Sequence, residues 1–169
     1  LYPKAGKIVV NSLENKYDLA EYLHIPEHTI EVVYNIVDKE EIEKMRSEKI
    51  PENTNKKIQW KKVFVTTWRL IWQKHHEKII EALKRVYDTI DKHRIYLIIW
   101  NGPRRQKLEN LVKDLWLQDN ILFLWELKNV FMYLNVADVF LYASEVEWFP
   151  NALLEAREMW LSIITSDFK

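Results

Sequence analysis

Two glutamates stand eight positions apart in the stretch EVEWFPNALLEA, Glu147 and Glu155, with Phe149, Pro150 and Asn151 between them. The apolar pattern that opens at Asn151, Ala152 and Leu153 reads as a helix, so Glu147 precedes a helix start and Glu155 falls in its first turns. Both carboxylates can then face a ligand held at that helix's N-terminus, and the spacing suits one on a sugar ring and one on a ribose diol. Glu155 has a plainer reading as a charge settled against a helix macrodipole. Upstream, Arg69 and Lys74 lie five apart in TTWRLIWQKHHEKI, where a strand pattern gives way to a helix pattern. Two cations beside the free amides of a helix beginning near His75 would make a place for a diphosphate; the alternative is a pair of solvated loop cations. Neither a Walker pattern nor an intact G-x-G-x-x-G is present. His75 and His76 read as surface residues at the helix start rather than as metal ligands, and no metal-ligand cluster is evident.

These groups need a frame, and from residue 61 the pattern supplies one. KKVFVTT reads as a buried-type strand, EKIIEALKRVYDTI puts Ile79, Ile80, Leu83, Val86, Tyr87 and Ile90 on one helical face, and IYLIIW is a second strand. RQKLENLVKDLW, NILFL, NVFMYLNVA, DVFLYAS, NALLEAREMW and LSIITSD continue as helix, strand, short helix, strand, helix and strand. Such alternation predicts an α/β fold, a parallel sheet with helices on both faces. In sheets of this kind ligands sit beyond the carboxyl ends of the strands. Nearer the start, KIVVNS, ENKYDLAEYL and IEVVYN read strand, helix, strand, and Asp38 is placed as the N-cap of a charged helix. The polar RSEKIPENTNKKIQ, with its proline and no periodicity, reads as a boundary. Because SDFK follows directly on a strand, the chain is expected to be a piece of a longer protein.

The 169 residues suit about one domain, or one domain and part of another, and 48% hydrophobic content supports a core. Lysine plus arginine equal aspartate plus glutamate at 25 each, so no global field favours nucleic acid or an anionic membrane. Anion binding must come from local patches. Without cysteine there is neither a disulfide framework nor a thiolate metal site. No apolar run approaches the ~20 residues of a transmembrane helix, and residues 1–20 lack a signal-peptide pattern. The expected location is the cytoplasm.

The order VFVTTWRLIWQKHHEKIIEAL, YLIIWNGPRRQKLENLV, DNILFLWELKNVFMYLNVADVFLYASEVEWFPNALLEA and SIITSD resembles the donor-binding domain of retaining glycosyltransferases of family 4, which have the GT-B fold. KIVVNSLENKYDLAEYL and IEVVYNIVD look like the end of that family's first domain and its crossing into the second. The resemblance spans nearly the whole chain. It implies that residues 1–45 end an acceptor-side N-terminal domain, 46–60 form a linker, and 61–169 form a Rossmann-like donor-binding domain. It further implies a hexosyltransferase that uses a UDP-sugar or GDP-sugar with retention and acts on a glycan or lipid-linked acceptor. Neither a metal cofactor nor a nucleic-acid partner is implied, and the full-length protein would have a peripheral place at the inner face of the membrane. Carried over residue by residue, Arg69 and Lys74 hold the diphosphate and stabilise the leaving group, Glu147 lies by the donor sugar, and Glu155 holds the ribose hydroxyls. Phe149, Pro150, Asn151, Ala152 and Leu153 form the turn whose amides reach the phosphates, and Gly102 with Pro103 belongs to a loop near the nucleotide. Alone, such a piece is expected to be inactive. Two other readings stay open: a non-catalytic carbohydrate-binding module with tryptophan platforms, and a nucleotide-binding or regulatory domain of another class.

Glycine occurs only twice and tryptophan eight times, against a usual ~7% glycine. Trp68, Trp100, Trp116, Trp125, Trp148 and Trp160 stand where the resembled family usually carries glycine; Trp60 and Trp72 stand where glycine would be unremarkable. Stacking platforms for sugars are one explanation. Deliberate substitution is another, at ~1–3 kcal/mol each as overpacking and more where φ is positive, a sum that rivals a typical stability of ~5–15 kcal/mol. The third is a gene from a lineage that reads UGA as glycine, translated with a table that reads it as tryptophan. It would restore ten glycines, about 6% of the chain, and it is the expectation taken forward.

Overall fold

The computed structural model describes residues 5–90, 93–147 and 149–167. A small parallel sheet pairs β1 (Ile8–Val10) with β2 (Ile30–Val32), Ile8 opposite Ile30. Helix α1 (Leu13–Leu23) crosses between them, capped by Ser12, whose hydroxyl accepts from the Asn15 amide at 3.0 Å. Asp38 caps α2 (Lys39–Arg46) as its pattern predicts, accepting from the Glu41 amide at 3.0 Å. The stretch that lacks periodicity nonetheless carries a helix, α3 (Glu52–Ile58), with Ile58 set into the main core. A seven-residue helix held by one apolar anchor shows too few repeats to register as a period.

The main sheet holds β3 (Lys62–Thr66), β4 (Arg94–Ile99), β5 (Ile121–Leu124), β6 (Val139–Tyr142) and β7 (Ser162–Thr165) in the spatial order β5-β4-β3-β6-β7, every pairing parallel. Helices α4 (His76–Thr89), α5 (Arg105–Asp114), α6 (Phe131–Leu134) and α7 (Asn151–Glu158) complete it. Alternate strand residues point to opposite faces. Val63, Val65, Ile95, Leu97, Ile99 and Phe140 pack with residues of α2, α3, α6 and α7, while Phe64, Tyr96 and Ile98 pack with Ile80 and Leu83 of α4 and Leu108 and Val112 of α5. Burial on both faces is why the central strands read as unbroken apolar runs. Ile90, which the periodicity puts on the inner face of α4, is the helix C-cap and lies exposed. No helix among the described residues is long and apolar enough to cross a membrane.

Chain order and spatial order together fix where a ligand can sit. From β3 the chain builds outward through β4 to β5, then returns to place β6 on the other side of β3. The loops leaving β3 and β6 therefore diverge, and a crevice opens between them at the carboxyl ends of these strands. The amino end of the pair is pinned by the Asp138 carboxylate, which accepts from the Val63 amide at 2.7 Å. Trp60, Trp116 and Trp160 precede β3, β5 and β7, at the end of the sheet opposite the crevice, and all three have positive φ, at 65°, 58° and 58°.

Candidate functional site

The crevice at the switch point is a cavity of about 720 Å³. From the loop after β3 it receives Arg69 and Lys74, from the loop after β6 Glu147, and from the start of α7 Phe149, Pro150, Asn151 and Ala152. Lys74 and Glu147 form an ion pair inside it, their side chains 17% and 15% exposed. The Ser144 hydroxyl donates to Glu147 Oε1 at 3.0 Å, and the Glu145 amide donates to the Gln73 carbonyl at 2.9 Å, which ties the two loops together. Burial, then the neighbouring Arg69 guanidinium, pulls the Lys74 pKa below its ordinary value. Arg69 is exposed and makes no ion pair among the described residues. Helix α7 starts at the cavity with no side-chain cap, so its first amides are available to an anion.

Other groups named by the sequence lie elsewhere. Glu155 lines a neighbouring cavity of about 270 Å³ with Asp38 and Lys128; the two cavities share Asn151. Burial raises the Glu155 pKa. Leu153 packs against the core. Gly102 sits against the backbone of Leu70, where a Cβ would stand 2.6 Å from the carbonyl oxygen and 2.8 Å from the amide nitrogen. Its role here is to let the β4–α5 loop carry the segment that holds Arg69. Gly102→Ala should therefore cost about 1–3 kcal/mol in urea unfolding; an unchanged midpoint would show that the loop has slack.

His76 differs from its sequence reading, for it is buried rather than at the surface. Its Nε2–H donates to the Arg69 carbonyl at 3.2 Å, and its ring stacks on Trp68 at 5.5 Å between centroids. Burial holds its pKa down at about 4, so the folded protein keeps the imidazole neutral. The unfolded chain, with an ordinary value near 6.5, takes up the proton first. The stabilising contribution is complete above pH ~6.5 and is lost as the pH falls toward 4, about 2 kcal/mol of it between pH 7 and pH 5. Urea titrations at those two pH values should show that loss, and His76→Gln should remove it.

The first sheet also reaches the cavity, through Asn11 and Asn35. Asn35 Nδ2 donates to Asn151 Oδ1 at 2.6 Å and to the Phe149 carbonyl at 3.4 Å. No spacing rule in the sequence singles out Asn35, Ser144 or Gln73; they matter through contacts that only the fold creates. Among the described residues, no group of three or more histidine, aspartate or glutamate side chains is placed to hold a metal ion. The arrangement can hold a dianion between two cations and a helix N-terminus, with a carboxylate at its edge.

The family model described as Glycosyl transferases group 1 matches residues 47–169. An uncharacterized glycosyltransferase of Methanocaldococcus jannaschii is 27% identical over 168 residues, covering 99% of this chain and 41% of the relative. The N-acetylgalactosamine-N,N'-diacetylbacillosaminyl-diphospho-undecaprenol 4-alpha-N-acetylgalactosaminyltransferase of Campylobacter jejuni is 29% identical over 169 residues, covering 100% of this chain and 43% of the relative. The chain thus spans less than half the length of either. Among solved structures, Anabaena HepE in complex with UDP and glucose superposes with a TM-score of 0.79 at 15% identity over 95% of this chain and 44% of that one. That likeness shows the fold, which is the GT-B type.

Proposed function

The chain belongs to the group 1 glycosyl transferases, and from that premise we propose that it is the donor-side part of a family 4-like enzyme, one that moves a hexosyl unit from a nucleoside-diphosphate sugar to a glycan or lipid-linked acceptor with retention. The observation that carries the reading is the meeting of Arg69, Lys74 and Glu147 in one cavity at the switch point of the sheet. Transfer breaks the bond between the anomeric carbon and a diphosphate oxygen, and the electron pair leaves on the diphosphate. Arg69 and Lys74 stand where that charge collects. Glu147 orients the donor sugar, and Glu155, across Asn151, takes the ribose hydroxyls. The complex of HepE with UDP and glucose supports the donor class, and the lipid-linked name of the Campylobacter relative supports the acceptor class.

In this reading residues 1–45 complete an acceptor-side domain, 46–60 bridge, and 61–169 bind the donor. The bridge includes α3, and the family model begins within it, at residue 47. A carbohydrate module with tryptophan platforms finds less support. The tryptophans share no single surface: Trp68, Trp72 and Trp100 line the cavity, whereas Trp60, Trp116 and Trp160 are spread from the centre of the sheet to both edges at the end away from it.

Calorimetric titration of the chain with UDP and with GDP tests the donor reading. One of them should bind, and Arg69→Ala should abolish the heat; silence from both would sink it. The anomeric configuration of the product made by the full-length enzyme decides retention.

A further inference from the structure

Five described residues other than glycine have positive φ, and three of them are tryptophan. Each sits in a turn whose geometry asks for glycine. At the end of α5, the Trp116 amide donates to the Lys113 carbonyl at 3.0 Å and the Leu117 amide to the Val112 carbonyl at 2.9 Å. At the end of α7, Trp160 donates to Arg157 at 3.0 Å and Leu161 to Ala156 at 3.1 Å. These are two copies of the Schellman motif, whose left-handed residue is usually glycine. Trp60 occupies the third position of a type II turn: Gln59 has φ −53° and ψ 130°, Trp60 has φ 65°, and Lys61 donates back to Ile58 at 3.0 Å. That position also calls for glycine.

Nothing in the packing recovers the strain. The three indoles are 90%, 85% and 91% exposed. A bulky residue in the left-handed region with no contacts to hold it there is an outlier. Three such outliers fall on one residue type in a chain that has two glycines in all.

At the candidate site the signature is burial instead. Trp68, 6% exposed, is wedged among His76, Phe140 and Tyr142, and its Nε1–H finds no partner among the described residues. His76 Nδ1, in the same stack, is likewise without one. With no indole at 68, there is room for water to reach the imidazole. Trp148 lies outside the described residues.

We infer that positions 60, 116 and 160 are glycine in the protein the cell makes, and the other five tryptophans with them, because a single codon, UGA read as glycine, accounts for all eight at once. The working cavity then has glycine at 68, 72 and 100, all three of which line it as tryptophan here. The backbone beside Arg69 is bare to a ligand.

Three readouts test this, and none depends on binding of UDP or GDP, so a failed titration with either leaves the inference standing. The gene should carry UGA at all eight positions, and UGG there overturns the idea. Peptide masses of the protein isolated from its own cells should show glycine at 60, 116 and 160; tryptophan masses overturn it. In the recombinant chain, Trp60→Gly, Trp116→Gly and Trp160→Gly should each raise Tm by about 2–4 °C. The matching alanine variants should gain less, since alanine keeps the Cβ that the left-handed backbone resists. Equal gains from alanine and glycine would mean that shedding an exposed indole is the whole effect.

Discussion

Lys74→Ala in the full-length enzyme lowers transfer by about 10²–10³-fold, the usual cost of deleting one preorganised group that meets developing charge. Two losses add here. On the proposed donor-side reading, the ammonium that would meet the diphosphate's electron pair is gone, and Glu147, 15% exposed and paired with Lys74, is left as an uncompensated carboxylate in the cavity proposed for the anion. A buried charge stripped of its partner costs more than the pair was worth. Weaker UDP or GDP binding should therefore accompany the fall in turnover. Initial rates at saturating donor, with calorimetry alongside, separate the two effects. Turnover within a few fold of the parent would remove Lys74 from the mechanism.

For Glu147→Gln the expected directions oppose each other: binding of UDP or GDP tightens about tenfold, or ~1.4 kcal/mol, while transfer falls about 10²-fold. Glu147 is paired with Lys74, the cation proposed to meet the diphosphate. Opposite charges ~4 Å apart attract by ~4 kcal/mol at an effective dielectric of about 20, so the incoming anion must first win Lys74 and then tolerate the released carboxylate. Glutamine keeps the length and still accepts from the Ser144 hydroxyl, but it neither holds Lys74 nor repels phosphate. Because product and donor share the diphosphate, the variant should also be more strongly inhibited by its product. If the variant binds the nucleotide no better than the parent, the pair is already open in solution and Glu147 does not guard the site.

The elements around the site were legible because their periods are long. Fourteen residues of α4 repeat one face often enough to announce a helix, and β3, β4 and β6 are apolar enough to announce burial on both sides. Helix α3 escaped for want of repeats. Arg69, Lys74 and Glu147 could be named because the order of motifs resembles family 4 glycosyltransferases at those positions; charge beside a strand end or helix start reads equally well as solvated loop residues. Glu155 was grouped with them by spacing along the chain. In space it lines the adjoining cavity with Asp38, and Asn151 is common to both cavities. His76 was misread as a surface residue because a histidine at a helix start looks the same whether its ring turns out or in. Only the carbonyl of Arg69, seven residues back, decides it.

The hydrogen bond from Val63 to Asp138 joins residues 75 apart, and this separation sets a timetable for the nascent chain. At about 5–20 residues per second, roughly 4–15 s pass between the synthesis of β3 and that of β6. Over that interval β3 can pair with β4 on one side only, and its other edge is an open apolar template of the kind that invites another chain. A ribosome paused between β5 and β6 would hold the molecule at its most adhesive moment, and the arrival of Asp138 ends it.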